Sequence, residues 1–439
     1  MTGKVLAAAA AAAVALLAAG SARPEPAALR AETPLLGLLA DGDYYHQALV
    51  RVDPTTVRAL PGPRVSLGYS YFGSFSPDRT LLAFGRVDSQ TDGTHDPNAY
   101  VRIVDVQAMR AVRDLALGAG SVLDVAWLAP GRVVVVVSHC CGVGDELVIV
   151  DPGDGRPVDR QSLGADPVGL VRTPDRLVLL LGAQGTIGAA RLLDVGADGA
   201  VSSVTLDRIA AGSEREGAGG EPGARYVFPA LAVDAGADRA FVLSPQDLVA
   251  EVDLRSGAVA YHSVSPLGRR LQGPAAPAKL FYGASRWAQW LGNGRLAVAG
   301  ADVMPFRNKL GERQVRHRPS GLELIDTLKW TARTIDRNAD SFTVAGSYLL
   351  ATGSRWTTPT ALPKGSGLTG YTSRGRRRFR LLRGRVVALD EAYGTRAFVE
   401  VDQQVDPKVI DLRRGRVVGA RGFEKLPRLL VGDGSSTSG

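Results

Sequence analysis

Short apolar runs recur along the whole chain, alternating with polar positions and broken by Asp, Gly, Pro and Asn. One unit repeats: an apolar strand ending in Asp, a tight bend, then a second short strand. Its copies start at Leu49-Val-Arg-Val-Asp53, Val101-Arg-Ile-Val-Asp105, Leu147-Val-Ile-Val-Asp151, Ala190-Arg-Leu-Leu-Asp194, Val249-Ala-Glu-Val-Asp253 and Leu322-Glu-Leu-Ile-Asp326. A degenerate copy follows at Leu368–Tyr371, and a last one at Lys408-Val-Ile-Asp411. Period-two alternation with β-branched residues predicts strands, and Asp or Gly at the bend predicts turns. A second kind of hairpin lies between these copies, with bends at Pro77-Asp78-Arg79, Ala129-Pro130-Gly131, Pro174-Asp175, Ala235-Gly236, Gly292-Asn293, Gly346-Ser347 and Ala392-Tyr393-Gly394.

Eight outer hairpins alternating with seven inner ones, with no amphipathic helix of any length, predict an all-β fold. Four strands in each repeat of roughly 40 to 70 residues describe a single β-propeller of four-stranded antiparallel blades. Eight blades fit the hairpin count best, and seven is the alternative if the end segments pack elsewhere. The first outer hairpin lacks an inner partner unless Pro34–Ala40 supplies one strand and Leu426–Val431 another. The ring would then close by pairing N- and C-terminal strands, leaving no open sheet edge. These assignments divide the chain into a signal peptide over 1–22, a linker over 23–33, a propeller over 34–432 and a disordered tail over 433–439.

At Phe75-Ser-Pro-Asp-Arg-Thr-Leu-Leu-Ala-Phe84 the chain resembles the WD-like repeat of TolB-type secreted bacterial propellers. That repeat usually carries Gly where this chain has Arg79. The likeness implies a fold and carries no activity with it.

The 439-residue length alone would suggest about three domains, which the repeat replaces with one ring. A hydrophobic fraction of 45% excludes a wholly disordered chain. The net charge of +8 comes almost entirely from arginine, the bias of a GC-rich genome, so it is weak evidence for a polyanionic partner. The N-terminus changes the picture more. Lys4 precedes the apolar run Val5–Ala19, and Gly20-Ser21-Ala22 follow before Arg23-Pro24. The run is too short for a comfortable span, and its small-residue exit predicts a cleaved secretory signal. No Cys stands at that exit, which excludes a lipoprotein. The expectation is a secreted or cell-envelope protein with no membrane span after cleavage.

Every long insertion is expected on one face of the ring. Val87–Ala99, Ser138–Asp145, Ala301–Ser320 and Gly353–Gly367 follow a second strand, while Asp207–Ala224 and Ser265–Ser285 join blades. Long loops on a rigid scaffold are where binding usually resides. The candidate binding residues on that face are His139, Arg307, Arg313, Arg316, His317 and Arg318, which would meet an acidic group on a ligand. A second basic run, Arg374–Arg385, falls on an outer rim; a solvated edge that discourages strand pairing is its simplest reading.

Cys140 and Cys141 are the only cysteines. In an oxidising compartment two thiols usually pair. Adjacent Cα atoms lie ~3.8 Å apart, below the usual disulfide range of ~4.4–6.8 Å. A vicinal disulfide would be a strained ring stiffening its loop; reduced or intermolecular cysteines are the alternative. A vicinal disulfide on an eight-bladed propeller resembles the pyrroloquinoline-quinone dehydrogenases. Asp253-Leu-Arg-Ser-Gly-Ala-Val-Ala-Tyr261 and Asp411-Leu-Arg-Arg-Gly415 echo the start of that family's repeat but lack its Trp, and the chain is short for it.

Other catalytic signatures are absent: there is no Gly-x-Ser-x-Gly elbow, His-Glu-x-x-His helix or phosphate-cradling Gly-x-x-x-x-Gly-Lys loop. The five histidines stand at no metal-ligand spacing. The oxygen-rich stretch Asp88–Asn98 departs from EF-hand spacing and reads as a solvated turn. The sequence therefore predicts a monomeric extracytoplasmic module binding a protein or small ligand, an anionic one among the candidates, without cofactor, metal, nucleic acid or catalytic residues. An enzyme of quinoprotein or lyase type, using the central funnel, is the alternative.

Overall fold

The computed structural model describes residues 35–40, 47–53, 56, 58–87, 98–128, 131–139, 144–216, 223–264, 281–311, 313–357, 363–402, 404–418 and 429–431. The expected signal peptide, linker and tail lie outside these residues, as do Cys140, Cys141 and residues 88–97. The described chain is a β-propeller, and its one helical element is a 3₁₀ turn at Ala235–Ala237. No described helix is long and apolar enough to cross a membrane.

Hydrogen bonding joins the strands into six sheets, which corrects the expectation of eight, or seven, separate four-stranded blades. Four of the six are simple antiparallel meanders of four strands. They comprise Ser121–Leu128 to Pro157–Ser162, Ala230–Asp234 to Val259–Ser263, Ser341–Ala345 to Arg377–Leu381, and Val387–Tyr393 to Arg416–Val417. The other two sheets are larger because strands cross the expected boundaries.

Strand Val65–Phe75 serves two ladders. Its first residues pair with Gln47–Arg51, and Tyr69 to Phe75 pair with Leu81–Val87, so one seven-stranded sheet replaces two. The twelve-stranded sheet arises in the same way, through Gly223–Phe228. That strand pairs antiparallel with the long strand Val201–Glu216 and parallel with Phe281–Gly292. Short apolar runs in the sequence mark strands, but they carry no sign that a strand will outrun its own blade.

The termini meet as expected. Leu36–Ala40 pairs on one side with Gln47–Arg51 and on the other with Leu429–Val431, in the register Leu36↔Val431, Gly37↔Leu430 and Leu38↔Leu429. Packing also runs round the ring and returns to its start. Leu35, Val50 and Val52 from the first sheet form one apolar cluster with Phe398 and Val409 from the last. Between them, each junction has its own core. Leu180, Leu192 and Leu206 meet Leu231 and Val242 in one, and Ala230, Phe241 and Leu243 meet Leu296 and Ile325 in another.

The repeated Asp earns its place at the turns. Asp105 Oδ1 accepts the backbone N–H groups of Gln107 and Ala108 at 2.9 and 2.8 Å. Asp253 Oδ1 accepts those of Arg255 and Ser256, and Asp326 Oδ1 those of Leu328 and Lys329. A short acceptor side chain thus satisfies turn donors that would otherwise compete with the ladder. In the Phe75–Phe84 copy the turn is held by Asp78, which accepts from Ser76 Oγ at 2.6 Å and Thr80 Oγ1 at 2.9 Å. Arg79 in that turn has φ +61°, the left-handed conformation that favours glycine.

Candidate functional site

Three of the expected long insertions, Asp207–Ala224, Ala301–Ser320 and Gly353–Gly367, come together, and they do so as strands rather than as the loops the sequence suggested. Val87–Ala99 and Ser138–Asp145 do not join them among the described residues. Val201–Glu216 continues past its blade and turns back through Gly223–Phe228. Arg295–Arg307 likewise continues into a hairpin with Arg313–Pro319, within the segment expected as the Ala301–Ser320 loop. The Gly353–Gly367 insertion contains strands Ser354–Thr357 and Lys364–Gly365. These pieces form one ladder. Glu216 to Gly212 pair with Gly223–Val227, Ala224–Phe228 with Phe281–Ser285, Ala301–Arg307 with Arg313–Pro319, Arg316 and His317 with Thr357 and Trp356, and Ser354 and Arg355 with Gly365 and Lys364. The result is a cap sheet. It straddles the Ala230–Ser263 meander, since Phe228 precedes that meander and Phe281 follows it.

Two glycines permit the crossing. Gly212, where Val201–Glu216 leaves its blade, has φ +122°, and a Cβ there would lie 2.3 Å from the Thr186 carbonyl oxygen. A Cβ on Gly283 would lie 2.0 Å from the Tyr226 carbonyl oxygen, so only glycine lets the two parallel strands approach this closely.

The hairpin of the cap carries most of the candidate binding residues, and strand alternation divides them. Arg316 and Arg318 share one side. The Arg316 guanidinium lies 4.5 Å from the Phe306 ring centroid, and Arg318 stands opposite Asp302 in register. His317 faces the other way and stacks on Trp356, with centroids 5.3 Å apart at 10°. Its Nδ1 donates to the Ser354 carbonyl at 3.1 Å, which turns Nε2 toward Asp340 at 4.0 Å. Asp340 Oδ2 accepts the Ser354 N–H at 2.8 Å, and burial pushes its pKa up. Arg307 is exposed and closes the hairpin turn on the Gly311 carbonyl at 2.6 Å; Arg313 is its register partner. His139 belongs to another sheet, at the end of Arg132–His139, where Nε2 faces Glu146 at 3.6 Å.

A buried polar group at the root of the hairpin escaped the sequence reading. Arg286 is 4% exposed, and its Nη1 lies 2.9 Å from Asp302 Oδ1 while donating to the Ser285 and Ala301 carbonyls at 2.9 and 3.2 Å. Burial, then the Asp302 carboxylate, pushes the nearby Tyr226 hydroxyl up to about 12. Arg286 also lines a cavity of ≈ 10 Å³ with Ser244, Ser320, Glu323, Leu243 and Val298. That is room for about one water molecule or one ligand oxygen. The signal was present as a charged residue inside each of two apolar strands, Phe281–Gly292 and Arg295–Arg307, but single charges in strands read equally well as solvent-facing positions. Among the described residues no group of three His, Cys, Asp or Glu side chains gathers to hold a metal ion.

No family model matches the sequence, and no curated protein matches it. Among solved structures, the computationally designed Ika8 protein aligns with a TM-score of 0.46 and 11% identity, over 80% of this chain and 86% of that one. BamB from Moraxella catarrhalis aligns with a TM-score of 0.44 and 10% identity, over 83% and 93%. At these scores neither likeness bears on function.

Proposed function

We propose that this protein is an extracytoplasmic binding module that engages a protein or small acidic ligand through its cap sheet. The observation that carries this reading is the single ladder joining insertions from separate parts of the ring. Loop length alone could drift without purpose; hydrogen-bonding three insertions into one platform fixes their side chains relative to one another. Binding sites built on strands hold their geometry better than sites on free loops. The platform presents Arg316 and Arg318 on one face of the hairpin and Arg307 at its turn on the other, with the Arg286–Asp302 pair and its small cavity at the root. A carboxylate or phosphate on the ligand would meet Arg316 and Arg318, for which bidentate pairing is the favoured geometry, and Arg307 would meet a second acidic group at the hairpin turn. The secretory pattern of residues 1–22 supports export, and in an oxidising compartment Cys140 would pair with Cys141.

The test is capture from envelope extract by the purified protein and by an Arg307→Glu/Arg316→Glu/Arg318→Glu variant whose melting is unchanged. The reading requires a defined partner that the wild type retains and the variant loses. If both forms capture the same partners, or neither captures any, the cap is not the binding face.

A further inference from the structure

We propose that a second surface, on the outer rim of the ring, docks this protein onto an anionic phospholipid membrane. The segment Arg374–Arg385 holds seven arginines in twelve residues and no acid, far denser than the genome-wide arginine bias explains. All seven are exposed. The strand within it, Arg377–Leu381, is the outermost of its sheet, so one of its edges is free of a partner strand. Of these seven, only Arg385 forms an ion pair among the described residues, with Asp402. Arg380 reaches the Ser366 carbonyl at 3.4 Å, and that contact leaves its charge unneutralised.

Beside this cluster lies an apolar anchor. Leu328 is 80% exposed at the tip of the turn between Leu322–Asp326 and Thr331–Asp336, next to exposed Lys329. Two hydrogen bonds hold that region against the arginine segment: Arg333 Nη2 donates to the Arg374 carbonyl at 2.7 Å, and Arg295 Nη1 to the Ser373 carbonyl at 3.4 Å. Asp326, two residues before Leu328, accepts the Leu328 and Lys329 N–H groups at 3.0 and 3.1 Å, and Asp336 accepts the Tyr371 hydroxyl at 2.8 Å.

Protection of an edge strand needs only a charge or two. Six unpaired guanidinium groups on one rim repel each other and become favourable when a dense anionic surface neutralises them. A soluble polyanion would do that but offers no place for Leu328. A bilayer offers both, with lipid phosphates for the arginines and an acyl boundary for the leucine. Leu328 and Arg374 lie in turns away from the cap, and the arginine segment runs from there along the outer strand to Ser366 and Asp402, so docking is edge-on through the rim.

Vesicle flotation of the full-length protein tests this, using phosphatidylcholine vesicles with and without phosphatidylglycerol. Binding is expected only to the anionic vesicles, weakening as salt screens the contact. At about fivefold for each arginine, Arg376→Gln/Arg378→Gln/Arg380→Gln should lose on the order of 100-fold in affinity. Leu328→Ser should lose on the order of tenfold. All these residues are exposed, and an unchanged melting curve confirms that the variants fold. Absence of binding to the anionic vesicles, or a triple variant that binds like wild type, overturns the proposal. So does a Leu328→Ser variant with undiminished vesicle binding, particularly alongside strong retention on heparin, which would assign the surface to a soluble polyanion. The cap variants leave this surface intact, so its failure and that of the cap reading are separable.

Discussion

Arg172 and Asp124 form a two-pronged ion pair between different sheets: Nη2 lies 2.5 Å from Oδ1 and Nε 3.3 Å from Oδ2. The same guanidinium donates to the Gly73 carbonyl at 3.2 Å, so one side chain ties three successive parts of the ring together. Both side chains are largely buried, and burial raises the Asp124 pKa against the lowering pull of Arg172. Removing one partner strands the other charge in a dry site, whereas removing both does not. Arg172→Met should therefore cost about 3–5 kcal/mol, and Arg172→Met/Asp124→Leu markedly less. Urea unfolding of the two variants checks this; equal losses would show that the pair contributes packing alone.

Ring closure rests on a three-residue strand. Leu429–Val431 covers the edge of Leu36–Ala40 that Gln47–Arg51 leaves open, and Leu36 and Leu38 are fully buried. A proline cannot donate to a ladder and is rarely tolerated between paired strands. Leu430→Pro should open the seam, lower the melting temperature and expose a free edge that associates with other copies. Size-exclusion chromatography would reveal the association. A variant that stays monomeric with an unchanged melting temperature would mean that packing by Phe398 and Val409 against Leu35 and Val50 suffices to close the ring.

The seam was legible in the sequence because it rests on local patterns: two apolar segments without partners, one at each end of the ring. The Asp-terminated strands were legible for the same reason, since an acceptor side chain at a bend acts on N–H groups two or three residues away. The merged sheets were not. Whether Val65–Phe75 ends at a blade boundary or runs through it depends on which strands flank it in space, and alternation looks the same in either case. The cap was half legible. Insertion lengths indicated a crowded face, but pairing between Arg316 and Thr357, or between Tyr226 and Gly283, links residues far apart in the chain and leaves no periodic trace. The basic hairpin was read as one cluster because a loop has no sides; as a strand it turns His317 away from Arg316 and Arg318.

The cap depends on the close approach at Gly283. A side chain there meets backbone, the Tyr226 carbonyl, which cannot swing aside. Gly283→Val should detach Gly223–Phe228 from Phe281–Ser285 while leaving the blades folded. Hydrogen exchange would then show lost protection in residues 223–228 and retained protection in Arg239–Leu243, which pairs within its own meander. Uniform loss of protection across both would make the cap part of the global folding unit instead of an addition to it.

Stability should peak on the acid side of neutrality, because two sets of carboxylates are shifted in opposite directions. Asp114 is held below its ordinary value of 3.8 by hydrogen bonds from Arg102, and Asp253 by the Ser256 N–H. Such groups bind fewer protons folded than unfolded, so the stability they confer is complete above 3.8 and is lost as pH falls through their folded values. Asp124 and Asp340 are raised, in both cases chiefly by burial. They take up protons first in the folded state, so stability increases as pH falls from neutrality toward 3.8. The two slopes meet in a maximum. Thermal melts across the pH range should show it, with Asp340→Asn flattening the neutral limb and Asp114→Asn flattening the acid limb. A melting temperature that falls monotonically from neutrality would show that the buried carboxylates are fully compensated by Arg172 and by the Ser354 donors.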